Sequence, residues 1–266
     1  MNRVLLSLML IMQWSALTPA PHALCGDPAA NNAQSNDDRK KIEQKQLMAL
    51  QLFVGAWKGV GQVRRGSRDG AWSEQGEWTW KFTPQGARMN WVANSGRFFE
   101  SGELRALADR EFEWTVKPVA KHDANEDHAL QQDAIVYRGR LSDEGQLTLN
   151  GQTVPDGLPD RVTIRSVANG DRLVVLYERR QGNSDRYSRL GEWGGTRIGS
   201  GFGQGGGGPE CVVTGGYGSM KIVHDGETYY VCCSGCREVF LENPKQVLTE
   251  YREKKALEKQ KRVEKK

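Results

Sequence analysis

Four cysteines in the last quarter of the chain have the spacing of a thiol centre. Twenty residues separate Cys211 from Cys232, three separate Cys232 from Cys236, and Cys233 follows Cys232 directly. Thiolates are the ligands that soft or borderline ions such as Cu(I) and Zn(II) prefer. The spacing therefore predicts a three-sulfur metal site formed by Cys211, Cys232 and Cys236. Cys233 and His224 are the two candidates for a fourth ligand.

The same cysteines also fit two other kinds of site. In an oxidising compartment the four could form two structural disulfides, with three connectivities open. Cys233 and Cys236 also make a Cys-x-x-Cys pair at a helix start, which is how enzymes of the thioredoxin type present their nucleophile. Those enzymes need further strands after the helix, and only helical sequence follows here. Metal binding, structural disulfides and thiol exchange are thus three hypotheses for one motif.

A hairpin and a short helix are the elements that would bring these cysteines together. The Asp225-Gly226 pair between two strand-like stretches predicts a hairpin turn, which returns the chain towards Cys211. Cys232 ends the second strand, and the residues after it predict a helix that opens near Cys236. The helix dipole favours thiolate at that end. Asn-Pro at 243–244 predicts the N-cap and first residue of a second helix.

The motif CVVTG…YYVCCSGCREVFLENPKQVL lies within residues 209–251. It combines a cysteine, a hairpin with paired aromatics, two more cysteines, a Phe and an Asn-Pro, and so resembles the YHS/TRASH family of small heavy-metal-binding domains. The resemblance implies a copper- or zinc-binding module for metal sensing, trafficking or resistance, with Cys211, Cys232 and Cys236 as ligands. Residues 212–214 read Val-Val-Thr where the commoner pattern has Gly-Met, so the resemblance leaves the preferred metal open.

Residues 47–199 predict a larger domain made of β-strands. Apolar and polar residues alternate in several stretches, for example at Trp78, Trp80 and Phe82, as is typical of strands with one buried face. Turn signals recur at short intervals, and no helical stretch is long enough for a crossover. The fold class is therefore mainly β: a closed antiparallel up-and-down β-barrel, followed by a small α+β domain with a hairpin and two helices. A β-sandwich is the alternative for the larger domain.

The larger domain opens with FVGAWKGVGQ, which contains a Gly-x-Trp motif at Gly55 and Trp57. This opening resembles that of calycin barrels, the lipocalin, fatty-acid-binding and nitrobindin-like group. The resemblance implies an interior cavity able to hold a small apolar ligand, whereas the alternative is a barrel filled by its own tryptophans. Haem is not expected, because the domain's histidines, His122 and His128, lie in a polar loop.

The first 23 residues predict a secretory signal peptide. One early arginine precedes an apolar run from Val4 to Met12 that is too short to span a membrane. Lipid attachment at Cys25 is not expected, since Leu24 stands where such sites need a small residue. The protein is therefore expected to be exported, to the periplasm or outside the cell, with no transmembrane span.

Four further segments complete the organisation of the chain. Residues 24–46 predict a disordered spacer that turns helical near Lys40, and residues 200–209 predict a flexible Gly-rich linker. The metal-binding domain then covers 210–252, and 253–266 form a basic helical tail. This tail carries much of the net charge of +4, but Glu and Lys at i,i+4 spacing offset one another in it.

These features together predict an exported metal-binding protein that is not an enzyme. The expected partner is a metal ion, copper or zinc, and the expected role is metal trafficking, sensing or resistance. No spacing pairs a nucleophile with a base, nucleic-acid binding is not expected, and the sequence does not predict an oligomeric state. The alternative function is transport of a small apolar ligand in the barrel, with the cysteines as structural disulfides.

Overall fold

The computed structural model describes residues 28–107, 109–120, 133–200 and 208–264, with side chains from residue 38 onward. The predicted signal peptide, Cys25, the loop that carries His122 and His128, and most of the Gly-rich linker lie outside these residues.

Ten antiparallel strands form a closed barrel in the part of the chain that the structure describes. Each strand pairs with its neighbours in sequence, and β1 pairs with β10 to close the sheet. The predicted up-and-down barrel is thus confirmed. The strands are β1 Gly55–Gln62, β2 Trp72–Thr83, β3 Gly86–Ala93, β4 Phe99–Ala106, β5 Glu111–Pro118, β6 Ile135–Leu141, β7 Gln146–Gly151, β8 Arg161–Val167, β9 Arg172–Arg180 and β10 Tyr187–Arg197.

Aromatic side chains fill much of the barrel interior. The ring of Trp78 lies 5.5 Å from that of Trp91 and 5.6 Å from that of Trp114. Phe99 packs edge-on against Trp114 at 5.2 Å and against Tyr137 at 5.7 Å. Such centroid distances are those of directly packed rings, which contribute beyond the area they bury. The contacts favour an interior filled by side chains over an open ligand cavity.

The side chain of Arg197, at the end of β10, connects the barrel's first and last strands. It is 2% exposed and donates hydrogen bonds to the carbonyl oxygens of Leu52 and Gly170, both at 2.8 Å, and of Val54. Its guanidinium lies 4.3 Å from the ring centre of Trp57. Three backbone carbonyls from two distant loops are satisfied by this one side chain, so it fixes the end of the barrel at which β1 begins.

A hairpin and two helices follow the barrel, as the sequence predicts. The hairpin strands are β11 Met220–His224 and β12 Glu227–Val231, and the helices are α2 Ser234–Glu242 and α3 Pro244–Glu264. The Asn243 side chain accepts a hydrogen bond from the Gln246 backbone N–H at 3.3 Å, which confirms the predicted N-cap. We refer to residues 208–243 as the cysteine module.

Helix α1, Pro28–Met48, precedes the barrel. The sequence predicts a disordered spacer here that turns helical near Lys40, whereas the structure has a helix that begins twelve residues earlier. Alanine, glutamine and lysine, which are good helix formers, recur along this stretch and account for the longer helix. Further along α1, Glu43 forms an ion pair with Arg88 of β3 at 3.6 Å.

The cysteine module packs against the end of the barrel that Arg197 fixes. The described residues from Asp38 to Glu264 form one compact unit. Gln51, in the 3₁₀ turn Gln51–Phe53 before β1, donates hydrogen bonds to the backbone oxygen and hydroxyl of Thr214, both at 3.3 Å. Arg197 lies 5.1 Å from the ring centre of Tyr217. Among the described helices, none has an apolar stretch long enough to cross a membrane.

The Arg197→Met variant is expected to lower the free energy of unfolding by about 3 kcal/mol, because it leaves the buried carbonyl oxygens of Val54 and Gly170 and the partly buried one of Leu52 without this donor. Urea denaturation followed by tryptophan fluorescence measures this change. Arg68→Met, which removes an exposed arginine from the loop between β1 and β2, is the control and is expected to change stability by less than about 0.5 kcal/mol. Equal stability of the two variants would contradict the role given to Arg197.

Candidate metal centre

Three buried sulfurs meet at the junction of the cysteine module and the barrel. The Sγ atoms of Cys211, Cys232 and Cys236 all lie within 4.8 Å of one another, and those of Cys232 and Cys236 are 3.4 Å apart. Thiolates that share one ion at about 2.3 Å are separated by roughly 3.8 Å. Each of the three cysteines is at most 1% exposed. The sequence-predicted triad is therefore brought together, at distances compatible with a metal site.

Backbone hydrogen bonds hold Cys211 beside the hairpin. Its N–H donates to the Gly216 oxygen at 2.7 Å, and its own oxygen accepts from the Gly215 N–H at 2.8 Å, which closes a tight turn. The next N–H, of Val212, donates to the Tyr230 oxygen on β12 at 2.9 Å. Since β12 leads directly into Cys232, this pairing places the first cysteine next to the second.

The other two ligand positions follow from where β12 ends and α2 begins. Cys232 is the first residue after β12, and Cys236 lies in the first turn of α2. The short turn between them points both sulfurs towards Cys211. The hydroxyl of Thr214 lies 3.6 Å from the Cys232 sulfur and provides a polar contact at the edge of the cluster.

Cys233 and His224, the two candidates for a fourth ligand, lie outside this group of three. The Cys233 sulfur is fully buried and 3.8 Å from that of Cys232, and it is hydrogen-bonded to the backbone of Trp80 on β2. The His224 ring packs edge-on against Phe240 at 5.7 Å. Among the described His, Cys, Asp and Glu residues, only the three cysteines form a group with all ligand atoms mutually close.

All four cysteines that the structure describes are free thiols. Contacts among the sulfurs shift their pKa values in opposite directions. Hydrogen bonds from Cys232 and Cys236 lower the pKa of Cys211, while the contact with Cys211 raises the pKa of both Cys232 and Cys236. Contacts with Cys232 and Cys236 lower the pKa of Cys233 as well. The cluster therefore favours thiolates at Cys211 and Cys233 next to protonated Cys232 and Cys236. Thiolate is the form of cysteine that binds a metal, and metal binding releases the remaining protons.

The barrel places a buried positive charge near these sulfurs. Burial lowers the pKa of Arg197 to about 10, and the negative charge that Cys232 can carry acts in the opposite direction. Arg197 therefore stays protonated at neutral pH. Its hydrogen bonds go to neutral carbonyl oxygens, so a Cys232 deprotonated by metal binding would offset a charge that is costly to bury.

A carboxylate from the barrel binds the N-terminus of α2. Glu77 on β2 accepts a hydrogen bond from the Ser234 N–H at 2.8 Å and another from the Ser234 hydroxyl at 3.1 Å. A negative charge at this end of a helix is favourable, because the first N–H groups have no partner within the helix. At Gly235, a β-carbon would lie 2.1 Å from the Trp80 oxygen. Only glycine allows α2 to approach β2 this closely.

Sequence reasoning did not identify Glu77 or Arg197 as parts of this site. Glu77 is 157 positions from Ser234, and Arg197 is 143 positions from Val54, so neither pairing has a local signal. No protein-family model matches the chain, and no curated protein matches it either. The resemblances to YHS/TRASH domains and to calycin barrels therefore stay predictions.

The Glu77→Gln variant is expected to raise amide hydrogen exchange in α2 about fivefold, because the charge at the helix N-terminus is lost. Exchange in the barrel strands is expected to stay unchanged. Glu100→Gln is the matched control, since Glu100 is exposed on β4 and pairs with Lys117. If both variants leave α2 equally protected, Glu77 does not hold the helix.

Proposed function

We propose that the protein is an exported metal-binding protein that holds a thiophilic ion, copper or zinc, through Cys211, Cys232 and Cys236. Its role is metal trafficking, sensing or resistance, and it is not an enzyme. The observation that carries the proposal is the convergence of three buried sulfurs within 4.8 Å of one another. Export rests on the signal-peptide pattern of the first 23 residues.

Three converging sulfurs support a metal site better than a disulfide. A disulfide between two of the three leaves the third with Cys233 as its one nearby cysteine, and Cys233 lies outside the group of three. A metal ion uses all three, and the positive charge of Arg197 suits the net negative charge of an ion bound by three thiolates. The ion would connect the turn at Cys211, the end of β12 and the start of α2.

Both Cu(I) and Zn(II) are compatible with this set of donors. Thiolate ligands select Cu(I) and Zn(II) over harder ions. Three sulfurs can complete the coordination of Cu(I), whereas Zn(II) is four-coordinate in most protein sites and needs one more ligand. Cys233, whose sulfur is 3.8 Å from that of Cys232, is the nearest described candidate for that position.

The two competing functions have less support. A thiol-disulfide oxidoreductase needs an accessible, low-pKa nucleophile, but Cys233 and Cys236 are both fully buried. An apolar-ligand carrier needs an interior cavity, and the packed rings of Trp78, Trp91 and Trp114 favour a filled interior.

The full chain, purified in reduced form without oxygen, is expected to bind one ion. Competition with a chelator of known affinity, for Cu(I) and for Zn(II), measures the dissociation constant. Cys211→Ser, Cys232→Ser and Cys236→Ser are each expected to weaken binding at least about 100-fold, since each removes a ligand.

Cys233→Ser is the matched control, because it removes a neighbouring buried sulfur from outside the group of three. It is expected to keep Cu(I) binding. The proposal fails if the fully reduced protein binds neither ion. It also fails if the Cys211→Ser protein binds as tightly as the unmodified chain.

A further inference from the structure

A groove with a volume of about 510 Å³ lies between α1, the end of β2 and the turn that follows Cys211. Its walls are mainly apolar and are formed by Met48, Trp80, Phe82, Val213 and Val239. A volume of roughly 300–1,000 Å³ with apolar walls and a few polar groups is usual for small-molecule sites. Trp80 and Phe82 lie near the end of β2, and the other lining residues come from α1, α2 and the turn after Cys211. The groove therefore lies at an end of the barrel and not among the packed rings of its interior.

The apolar surface of the groove is open to a ligand. The rings of Trp80 and Phe82 are stacked, with centres 6.0 Å apart and planes 20° from parallel. Phe82 is nevertheless 44% exposed, which is unusual for a large aromatic side chain on a strand. An alkyl chain or a flat ring placed over this pair would bury the exposed face of the Phe82 ring.

Two lysines give the groove a positive rim. Lys41 and Lys45 lie one helical turn apart on α1 and both line the groove, whereas no acidic residue lines it. Lys41 makes one weak ion pair, with Asp38 at 3.9 Å, and is 76% exposed. Within the described residues, Lys45 has no carboxylate within ion-pair distance. The charge of the rim is therefore complementary to an anion.

We propose that this groove binds a small amphipathic carboxylate, with its apolar body against Trp80 and Phe82 and its carboxylate towards Lys41 and Lys45. Thr214 lines the groove and also lies 3.6 Å from the Cys232 sulfur, so the bound molecule would lie next to the cysteine centre. This site is independent of the proposed metal function, because none of the three cysteines lines the groove.

Isothermal titration of the reduced, metal-free full chain with decanoate tests the proposal. One molecule per chain is expected to bind. Decyltrimethylammonium, which has an alkyl chain of nearly the same length and the opposite charge, is expected to bind at least about fivefold more weakly. Because no metal is present, the outcome does not depend on whether the cysteine centre binds an ion.

Three variants locate the site. The double variant Lys41→Gln, Lys45→Gln is expected to weaken decanoate binding about fivefold by removing the positive rim. Trp80→Phe makes the apolar wall smaller and is expected to weaken it about threefold. The matched control, Lys58→Gln with Lys117→Gln, removes two exposed lysines from the barrel surface and is expected to leave the affinity unchanged.

The proposal is overturned if decanoate does not bind, or if the cationic analogue binds as tightly. It is also overturned if the control lowers affinity as much as the Lys41 and Lys45 double variant, because the ligand then binds elsewhere. Circular dichroism of each variant confirms that it is folded, and the charge comparison on the unmodified chain keeps the test decisive should Trp80→Phe fail to fold.

Discussion

The buried guanidinium of Arg197 lies where the barrel closes and where the cysteine module meets it. On one side it supplies hydrogen bonds to carbonyl oxygens before β1 and in the turn before β9. On the other it is the nearby positive charge for Cys232 and packs against Tyr217. A cation kept out of water needs compensation. The carbonyl oxygens supply part of it, and a Cys232 deprotonated by metal binding would add to it, so metal binding would stabilise the barrel end as well.

The small size of the cysteine module explains why it depends on the barrel. A hairpin and one short helix cannot bury enough apolar surface to be stable alone. The barrel supplies a carboxylate to the start of α2, a backbone surface for Gly235, and a hydrogen-bonding side chain for the turn at Thr214. A metal ion would add the remaining connection, because it would hold the turn, the strand end and the helix at one point.

Local patterns in the sequence predicted most of the fold. Period-two alternation located strands such as β2, the Asp225-Gly226 pair located the hairpin, and Asn243 located the start of α3. The grouping of Cys211, Cys232 and Cys236 was also predictable, since their spacing fits a hairpin followed by a helix. The contribution of the barrel was not, because Ser234 is 157 positions from Glu77, and Leu52 and Val54 are 145 and 143 positions from Arg197. Nor did the sequence separate Cys233 from the triad. The side chain of Cys233 is held outside the triad by its hydrogen bond to the backbone of Trp80 on β2, and this long-range contact has no local signal.

X-ray absorption spectroscopy of the metal-loaded full chain tests the central claim most directly, because it reports the atoms bound to the ion. The account predicts a first shell dominated by sulfur, with three sulfur atoms at about 2.3 Å, for copper or for zinc. A first shell made of nitrogen or oxygen alone, or one with fewer than three sulfurs, would contradict it.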